Sequence, residues 1–469
     1  MMPRLTFLLF LWTTLLLALP LYAWEANWES LDSRPLPSWY DEAKFGIFIH
    51  WGVFSVPSIY SVWFWYWWQE KHQPEFSNYI HQTEVPRFSF TDYAHRFDAT
   101  LYRPDVWADV FVQSGAQYVV LTSKHHEGFC NWDSRSIPAT WNWNAMDIGP
   151  RRDLVGELAK SVKSATSPHT NKSLRFGLYH SLFEFFHPAY IADKQSNYTQ
   201  TTFVDTKTMP ELYDLVRKYE PELIWSDGEW DATSDYWKST EFLAWYATHS
   251  PVAESAIWND RWGSDTLCKH GGFLTCKDHF QPGKLVEEKW ENALTTDADN
   301  WGWNRNSTYT NYLATSVFIH ELIETVAFGG NMLLNVGPAA DGTISPIFID
   351  RLVGIGSWLK VNGEAIYSTR PWKVCQNETS IFYTTKSDTL YAITTMWPTR
   401  NHMILNAPVP MRTTKVHMLG WNEELEWTTV DSGLRIKVPP LTPDVIPCQY
   451  AWVFALTNIH NLQSPSRIA

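Results

Sequence analysis

Five short apolar runs in this 469-residue chain each stop at residues that can donate, accept or carry a proton. FGIFI stops at His50, and VVLT leads to Lys124, His125 and His126. FGL stops at Tyr179 and His180, LIW at Ser226 and Asp227, and AIW at Asn259, Asp260 and Arg261. Such a set suits glycoside hydrolysis, which needs one carboxyl group to protonate the leaving oxygen and another to attack or to activate water. Asp227 is the best candidate for the attacking group, because it follows an apolar run directly and lies between Trp225 and Gly228. An Asp beside a Gly is also ordinary turn chemistry, so the assignment depends on what converges around it. The long loop after Arg261 carries several further carboxylates. Glu291, close to Glu287 and Glu288, reads as well as a solvated charge.

Other chemistries fit less well. His125 and His126 with Glu127, and with His50 and His180, raise the question of zinc, but there is no His-Glu-x-x-His helix and no His-x-His pair on the first run. A nucleophilic serine would need a Gly-x-Ser-x-Gly turn, and none occurs. Adjacent histidines on an extended strand point to opposite faces, so His125 and His126 reach one ligand only if the strand bends there. Hydrogen bonding to hydroxyl groups is the better use for them. No metal and no cofactor is expected.

The elements that must position these residues alternate. From residue 40 to about 365, short apolar runs alternate with amphipathic helical ones, the pattern of βα units around a parallel sheet. Residues 104–114 place Val106, Val110 and Phe111 on one helical face and stop at Gly115, before the run 118–121. Thr208 and Glu211 are spaced as a capping box ahead of Leu212, Leu215, Val216 and Tyr219. In a (β/α)8-like barrel the C-terminal strand ends converge on one face, so the five polar sets should meet there. Beyond Asn362 and Gly363, shorter alternating segments with turns read as a smaller C-terminal antiparallel β-sandwich. The expected organisation is a barrel over residues 24–368 and a sandwich over 369–469.

Residues 1–23 carry Arg4, an uncharged run and a small residue at Ala23, which reads as a cleaved signal peptide rather than an anchor. Four N-glycosylation sequons, at Asn171, Asn197, Asn306 and Asn377, agree with a secreted or lysosomal protein. Five cysteines leave at least one outside an internal pair, with Cys130 the candidate. Cys268 with Cys276, and Cys375 with Cys448, are the expected pairs. A net charge of −13 without a basic cluster argues against nucleic acid as a partner. No membrane contact is expected once the leader is removed, and a homo-oligomer is left open. Aromatic residues make up 16 %, with 28 Trp, and flat rings suit sugar faces as well as cores.

The strings FGIFIHWG (45–52), KHHEGF (124–129), WNWN (141–144), RDLVGEL (152–158), GLYHS (177–181), WSDGEW (225–230) and NDRWG (259–263) resemble signatures of the α-L-fucosidases, in family order. NVGPAADG (335–342) continues the likeness, and the C-terminal part resembles that family's sandwich more loosely. The resemblance implies a retaining, double-displacement exo-glycosidase acting on terminal α-L-fucose of glycoproteins, glycolipids or oligosaccharides. Asp227 would be the nucleophile, and His50, Trp63, His125, His126, Tyr179, Trp225 and Arg261 would line the sugar pocket. Asp278 matches the acid/base position better than its rival Glu291, and a Cys268–Cys276 bridge would hold its loop. An aromatic wall facing the fucose methyl would disfavour sugars with a hydroxyl there, by about 1–3 kcal/mol. One departure stands out: the family's Ser-Glu-Trp is here Ser61, Val62 and Trp63, so the Glu that would bind a fucose hydroxyl is lost unless a neighbour such as Glu70 replaces it. That change motivates the alternative of a catalytically weak fucose-binding protein on the same scaffold. A barrel glycosidase for another sugar is a third reading.

Overall fold

The computed structural model describes residues 23–462 apart from Thr379, Thr399 and Ser432. The leader expected at 1–23 lies almost wholly outside the described residues. Seven parallel strands form the first sheet: β1 (Phe45–Ile49), β2 (Tyr118–Lys124), β3 (Arg175–Ser181), β4 (Leu223–Asp227), β5 (Ile257–Trp258), β6 (Glu291–Thr295) and β7 (Asn331–Val336). Their order is β5-β4-β3-β2-β1-β7-β6. The gap between β5 and β6 is bridged by residues 272–275. Phe273 N donates to Trp258 O at 3.2 Å on one side, and Leu274 N to Lys289 O and Glu291 N to Leu274 O, both at 2.8 Å, on the other. This segment is the eighth stave that closes the barrel.

Apart from Arg175 at the start of β3, the strands are buried along their whole length, as expected where side chains fill the inside and helices cover the outside. The interior is aromatic: Tyr40, Phe48, Tyr118, Tyr179, Trp225 and Phe273 pack there with Leu333 and Ala293. Gly46 makes room for this filling, because a Cβ at that position would stand 2.5 Å from the Tyr118 ring. The surrounding helices include Pro104–Ser114, which ends at left-handed Gly115 (φ 84°), and Met209–Tyr219, Thr315–Ala327 and Pro346–Asn362. In the first of these the buried face is Trp107, Ala108, Val110 and Phe111, while Val106 is exposed. The buried face is turned by one residue from the expected one.

The capping box expected at Thr208 does not form. A π-turn over Val204–Thr208 runs straight into the helix, so Thr208 already has helical dihedrals, and its hydroxyl donates to Leu182 O. Glu211 is instead bound by Lys124 and Lys207.

The C-terminal part is a sandwich. β8 (Arg370–Glu378), β9 (Ile381–Lys386), β10 (Thr389–Thr394), β12 (Pro410–Met418) and β15 (Trp452–Ile459) make one antiparallel sheet, and β11 (His402–Leu405), β13 (Trp427–Val430) and β14 (Gly433–Lys437) the other. Trp372, Tyr383, Leu390, Leu434, Ile436 and Phe454 fill the space between them.

Cys268 and Cys276 are joined, but the expected Cys375–Cys448 bridge is absent. Cys375, on β8, turns its thiol to Trp372 O at 3.4 Å, and Cys448 turns its own to Ala451 O at 3.3 Å. Each sulfur is held locally, and both thiols are free, as is buried Cys130.

Candidate active site

Asp227 ends β4, and left-handed Gly228 (φ 80°) turns the chain away immediately after it, beside the Phe183 ring. Its carboxylate is almost wholly buried yet well supplied with donors. Tyr179 OH donates to Oδ2 at 2.7 Å, Arg261 Nη1 reaches Oδ1 at 3.2 Å, and His126 Nε2 lies 3.5 Å from Oδ2. Burial opposes its charge, but the bond from His126 and the positive Arg261 outweigh that and hold the carboxyl well below the usual carboxylate range. An ionised, fixed carboxylate is what a nucleophile at saturated carbon requires.

Arg261 connects this group to the next. Its Nη2 contacts Asp278 Oδ1 at 2.6 Å, its Nε donates to Thr275 Oγ1 at 3.0 Å, and its guanidinium lies 4.7 Å over the Trp225 ring. Asp278 stands half exposed on the loop that follows the closing stave, pinned near the Cys268–Cys276 disulfide. One buried and one accessible carboxylate therefore share a single guanidinium.

The histidines converge from two strand ends. Asn335 on β7 donates through Nδ2 to Trp301 O, which leaves its Oδ1 to accept from His50 Nδ1 at 2.7 Å. Burial lowers His50 to about 4, so the ring is neutral and Nε2 is free to accept a hydroxyl proton. β2 ends at Lys124, and the chain turns directly after it, with Gly128 N donating to His125 O at 3.0 Å and Gly128 left-handed (φ 82°). This bend brings His125 and His126 to the same pocket with ring centroids 4.1 Å apart. Ser181 donates to Phe183 O, and its Oγ lies 2.7 Å from His126 Nδ1. His125 stacks on Tyr179, and its Nδ1 faces Glu127 Oε2 at 3.4 Å. His180 points elsewhere, to Ser123 and Glu211 in a separate buried network.

These groups surround a pocket of about 120 Å³, with Trp63, Trp225, Trp230 and Trp301 in its walls. Glu291 is not among its lining residues. It begins β6 inside the barrel, fully buried, and accepts from Tyr40 OH and Tyr118 OH at 2.7 Å and from Trp225 Nε1 at 2.9 Å. The carboxyl lies beneath the floor of the pocket rather than in it.

A family model described as Alpha-L-fucosidase matches residues 20–364, and one described as Alpha-L-fucosidase C-terminal domain matches 376–457. The chain belongs to the α-L-fucosidase family. The human tissue α-L-fucosidase is 48% identical over 436 residues, 92% of this chain and 91% of that protein. The Branchiostoma floridae α-L-fucosidase is 49% identical over 445 residues, 94% of this chain and 96% of that protein. A crystal structure of the Thermotoga maritima α-fucosidase with a mechanism-based inhibitor superposes with a TM-score of 0.78 at 30% identity, covering 92% of this chain and all of that one.

All seven residues that the fucosidase resemblance assigns to sugar binding line the pocket together with Asp227 and Asp278. Phe48, Trp230 and Trp301 also line it and were missed. Trp230 stacks on Trp63 at 5.8 Å and lies inside the WSDGEW string, so proximity to Asp227 was the available signal. Trp301 sits on a loop with no periodic pattern, and nothing in the sequence marks it. Val62 lines the pocket where fucosidases commonly carry Glu, and Glu70 caps the far end of the helix Phe64–Gln69, exposed and away from the lining.

Proposed function

We propose that this chain hydrolyses terminal α-L-fucose from glycans with net retention, Asp227 acting as nucleophile and Asp278 as acid/base. The observation that carries the reading is Arg261, which holds both carboxylates at one small pocket. Asp227 attacks the anomeric carbon while Asp278 gives its proton to the departing glycosidic oxygen, leaving a fucosyl ester on Asp227. Asp278, now a carboxylate, takes a proton from water, which attacks the same carbon and frees Asp227. Two carboxyls sharing one guanidinium support the close spacing of retention, about 5–5.5 Å, over the wider gap of inversion. A pocket of about 120 Å³ supports removal of one terminal sugar rather than cleavage within a chain.

The Cys268–Cys276 disulfide and the exposed Asn171, Asn197 and Asn306 support passage through the secretory route, to lysosomes or to the outside. The side chain of Asn377 lies outside the described residues. No helix among the described residues is long and apolar enough to cross a membrane.

Val62 is the observation that favours a second reading, a fucose-binding protein with weak turnover. The ordered donors on Asp227 weigh against it, since a lectin has no use for a strongly acidic carboxyl at that position. Hydrolysis of an aryl α-L-fucoside by wild type and by Asp227→Gly, with and without azide, tests the proposal. Loss of turnover, restored by azide as β-fucosyl azide, is expected; an unaffected variant removes Asp227 from the role, and fucose binding without wild-type turnover supports the lectin.

A further inference from the structure

A second cavity, of about 400 Å³, adjoins the catalytic pocket and shares none of its lining residues. The loops after β1 and β2 line both, and the loop after β3 lines the second cavity and packs against the wall of the first. After β1, Trp63 faces the catalytic pocket and Trp65 the second cavity. After β2, His125 and His126 face the first and Glu127 the second. After β3, Phe185 packs on Trp63 and His126, while Phe186 packs on Trp65. The cavities therefore stand back to back, parted by one layer of side chains, on the barrel face where the strands end. Asp278 lies across the barrel from this cavity, beside β6, so the sugar that leaves with the acid's proton departs on the other side.

The second cavity has the chemistry of a sugar site. Trp65, Trp141 and Trp143 give it aromatic walls. Trp141 is 60% exposed, and one of its faces is covered by His187 at 5.0 Å with the rings 3° from parallel. His95 and Asn142 stand exposed at the rim. Glu127 is buried in the wall, with its Oε2 turned to His125 Nδ1 at 3.4 Å rather than into the cavity. The floor charges, Lys207 and Glu184, are spent on each other at 3.1 Å, which disfavours an ionic ligand. Asp92 adds one exposed carboxylate, which accepts from Ser89 N at 2.8 Å, and flat rings with a few fixed polar groups suit a neutral polyol.

We propose that this cavity is a second saccharide site, which takes a neutral pyranose residue of a glycan apart from the fucose being cleaved. It rests on the fucosidase reading only for the kind of molecule brought to this face. The test fills the catalytic pocket with an iminocyclitol and then adds N-acetyllactosamine, which carries no fucose, with saturation-transfer NMR as the readout. Transfer to the disaccharide is expected in the blocked wild type and should fall about fivefold in Trp141→Ala, the usual worth of one aromatic face. Aryl fucoside kcat/KM should stay unchanged in that variant and report that it is folded. A raised KM for a branched fucosylated oligosaccharide in Trp141→Ala assigns the bound sugar to the substrate itself; an unchanged KM with lost transfer assigns it to a separate chain. Absence of transfer in the blocked wild type, or equal transfer in wild type, Trp141→Ala and Asn142→Ala, overturns the proposal. An inactive wild type that still shows transfer would overturn the catalytic reading and leave this site standing.

Discussion

Trp225 donates through its indole Nε1 to Glu291 Oε1 at 2.9 Å, so the carboxyl beneath the pocket fixes the ring that forms its floor. Two tyrosine hydroxyls converge on the other oxygen of Glu291, and burial pushes the group up to about 7. A side chain so engaged is a support rather than a proton donor to substrate. Glu291→Gln, which still offers an acceptor, should keep kcat within about tenfold, well short of the 10²–10⁴ that a general acid supplies. Glu291→Ala leaves three buried donors without an acceptor at about 1–3 kcal/mol each, and should melt markedly earlier. Steady-state kinetics and thermal melts of both variants check this; azide rescue of Glu291→Ala turnover would move the acid/base role to Glu291.

Asp278 carries the complementary expectation. Asp278→Ala should lose about 10²–10⁴ in kcat/KM for substrates with poor leaving groups and far less for an activated aryl fucoside. Azide should restore turnover of the activated substrate and yield α-fucosyl azide, because Asp227 still forms the ester and azide replaces the water that Asp278 would activate. Product stereochemistry by NMR decides it. Absence of rescue, with losses equal for both leaving groups, would remove Asp278 from the role.

The barrel and the first half of the pocket were legible because continuous apolar runs announce buried parallel strands and their polar ends announce the mouth. Asp227, His50, Tyr179 and Arg261 all fall at such ends. The eighth stave was not legible, because residues 272–275 are too short to register as a strand and follow directly on Gly271. Glu291 reads on the page as one charge among several, and only the barrel interior shows that two tyrosines and a tryptophan are spent on it. The convergence of His125 and His126 depends on the tight turn closed at Gly128, for which the glycine is the one local signal. Cys375 and Cys448 illustrate the limit of counting, since parity leaves partners open and geometry left both thiols free.

Val62 offers a gain-of-function test. It lines the pocket beside Gly302, whose Cβ would stand 2.7 Å from the Val62 methyl, and no carboxylate replaces the one fucosidases commonly place there. Val62→Glu should restore a charged hydrogen bond to a fucose hydroxyl, worth about 1.5–3 kcal/mol, and lower KM for an aryl fucoside by about tenfold or more. The kcat should change less than KM, since the bond is made in ground and transition states alike. An unchanged or raised KM in a folded variant would show that the pocket binds fucose through other groups.

Stability should fall as pH rises above 6.5. Burial pushes Glu127 and Glu229 up to about 8 and Glu291 to about 7, and the Oε2 atoms of Glu127 and Glu229 have no hydrogen-bond partner. In the unfolded chain each returns toward 4.5. Between that value and about 8 the folded state binds more protons than the unfolded, so raising the pH favours unfolding. His50 and His180 work in the opposite sense, because burial lowers both to about 4 while the unfolded rings titrate near 6.5. Their contribution grows as pH rises from about 4 to 6.5 and then is complete, so it offsets the glutamates below 6.5 and does nothing to the slope above it. Buried Lys44, lowered to about 7, opposes the glutamates above that pH, and Lys289, lowered by burial, acts in the same sense. The net loss is therefore confined mainly to the range from 6.5 to about 8 and should be on the order of 1 kcal/mol at most. Thermal melts from pH 5 to 8 should therefore show a plateau followed by a modest fall, shallower in Glu127→Gln and steeper in Lys44→Met, which removes the opposing group. A pH profile from 6.5 to 8 that is the same in wild type and Glu127→Gln would mean that this carboxyl is ionised in the folded protein.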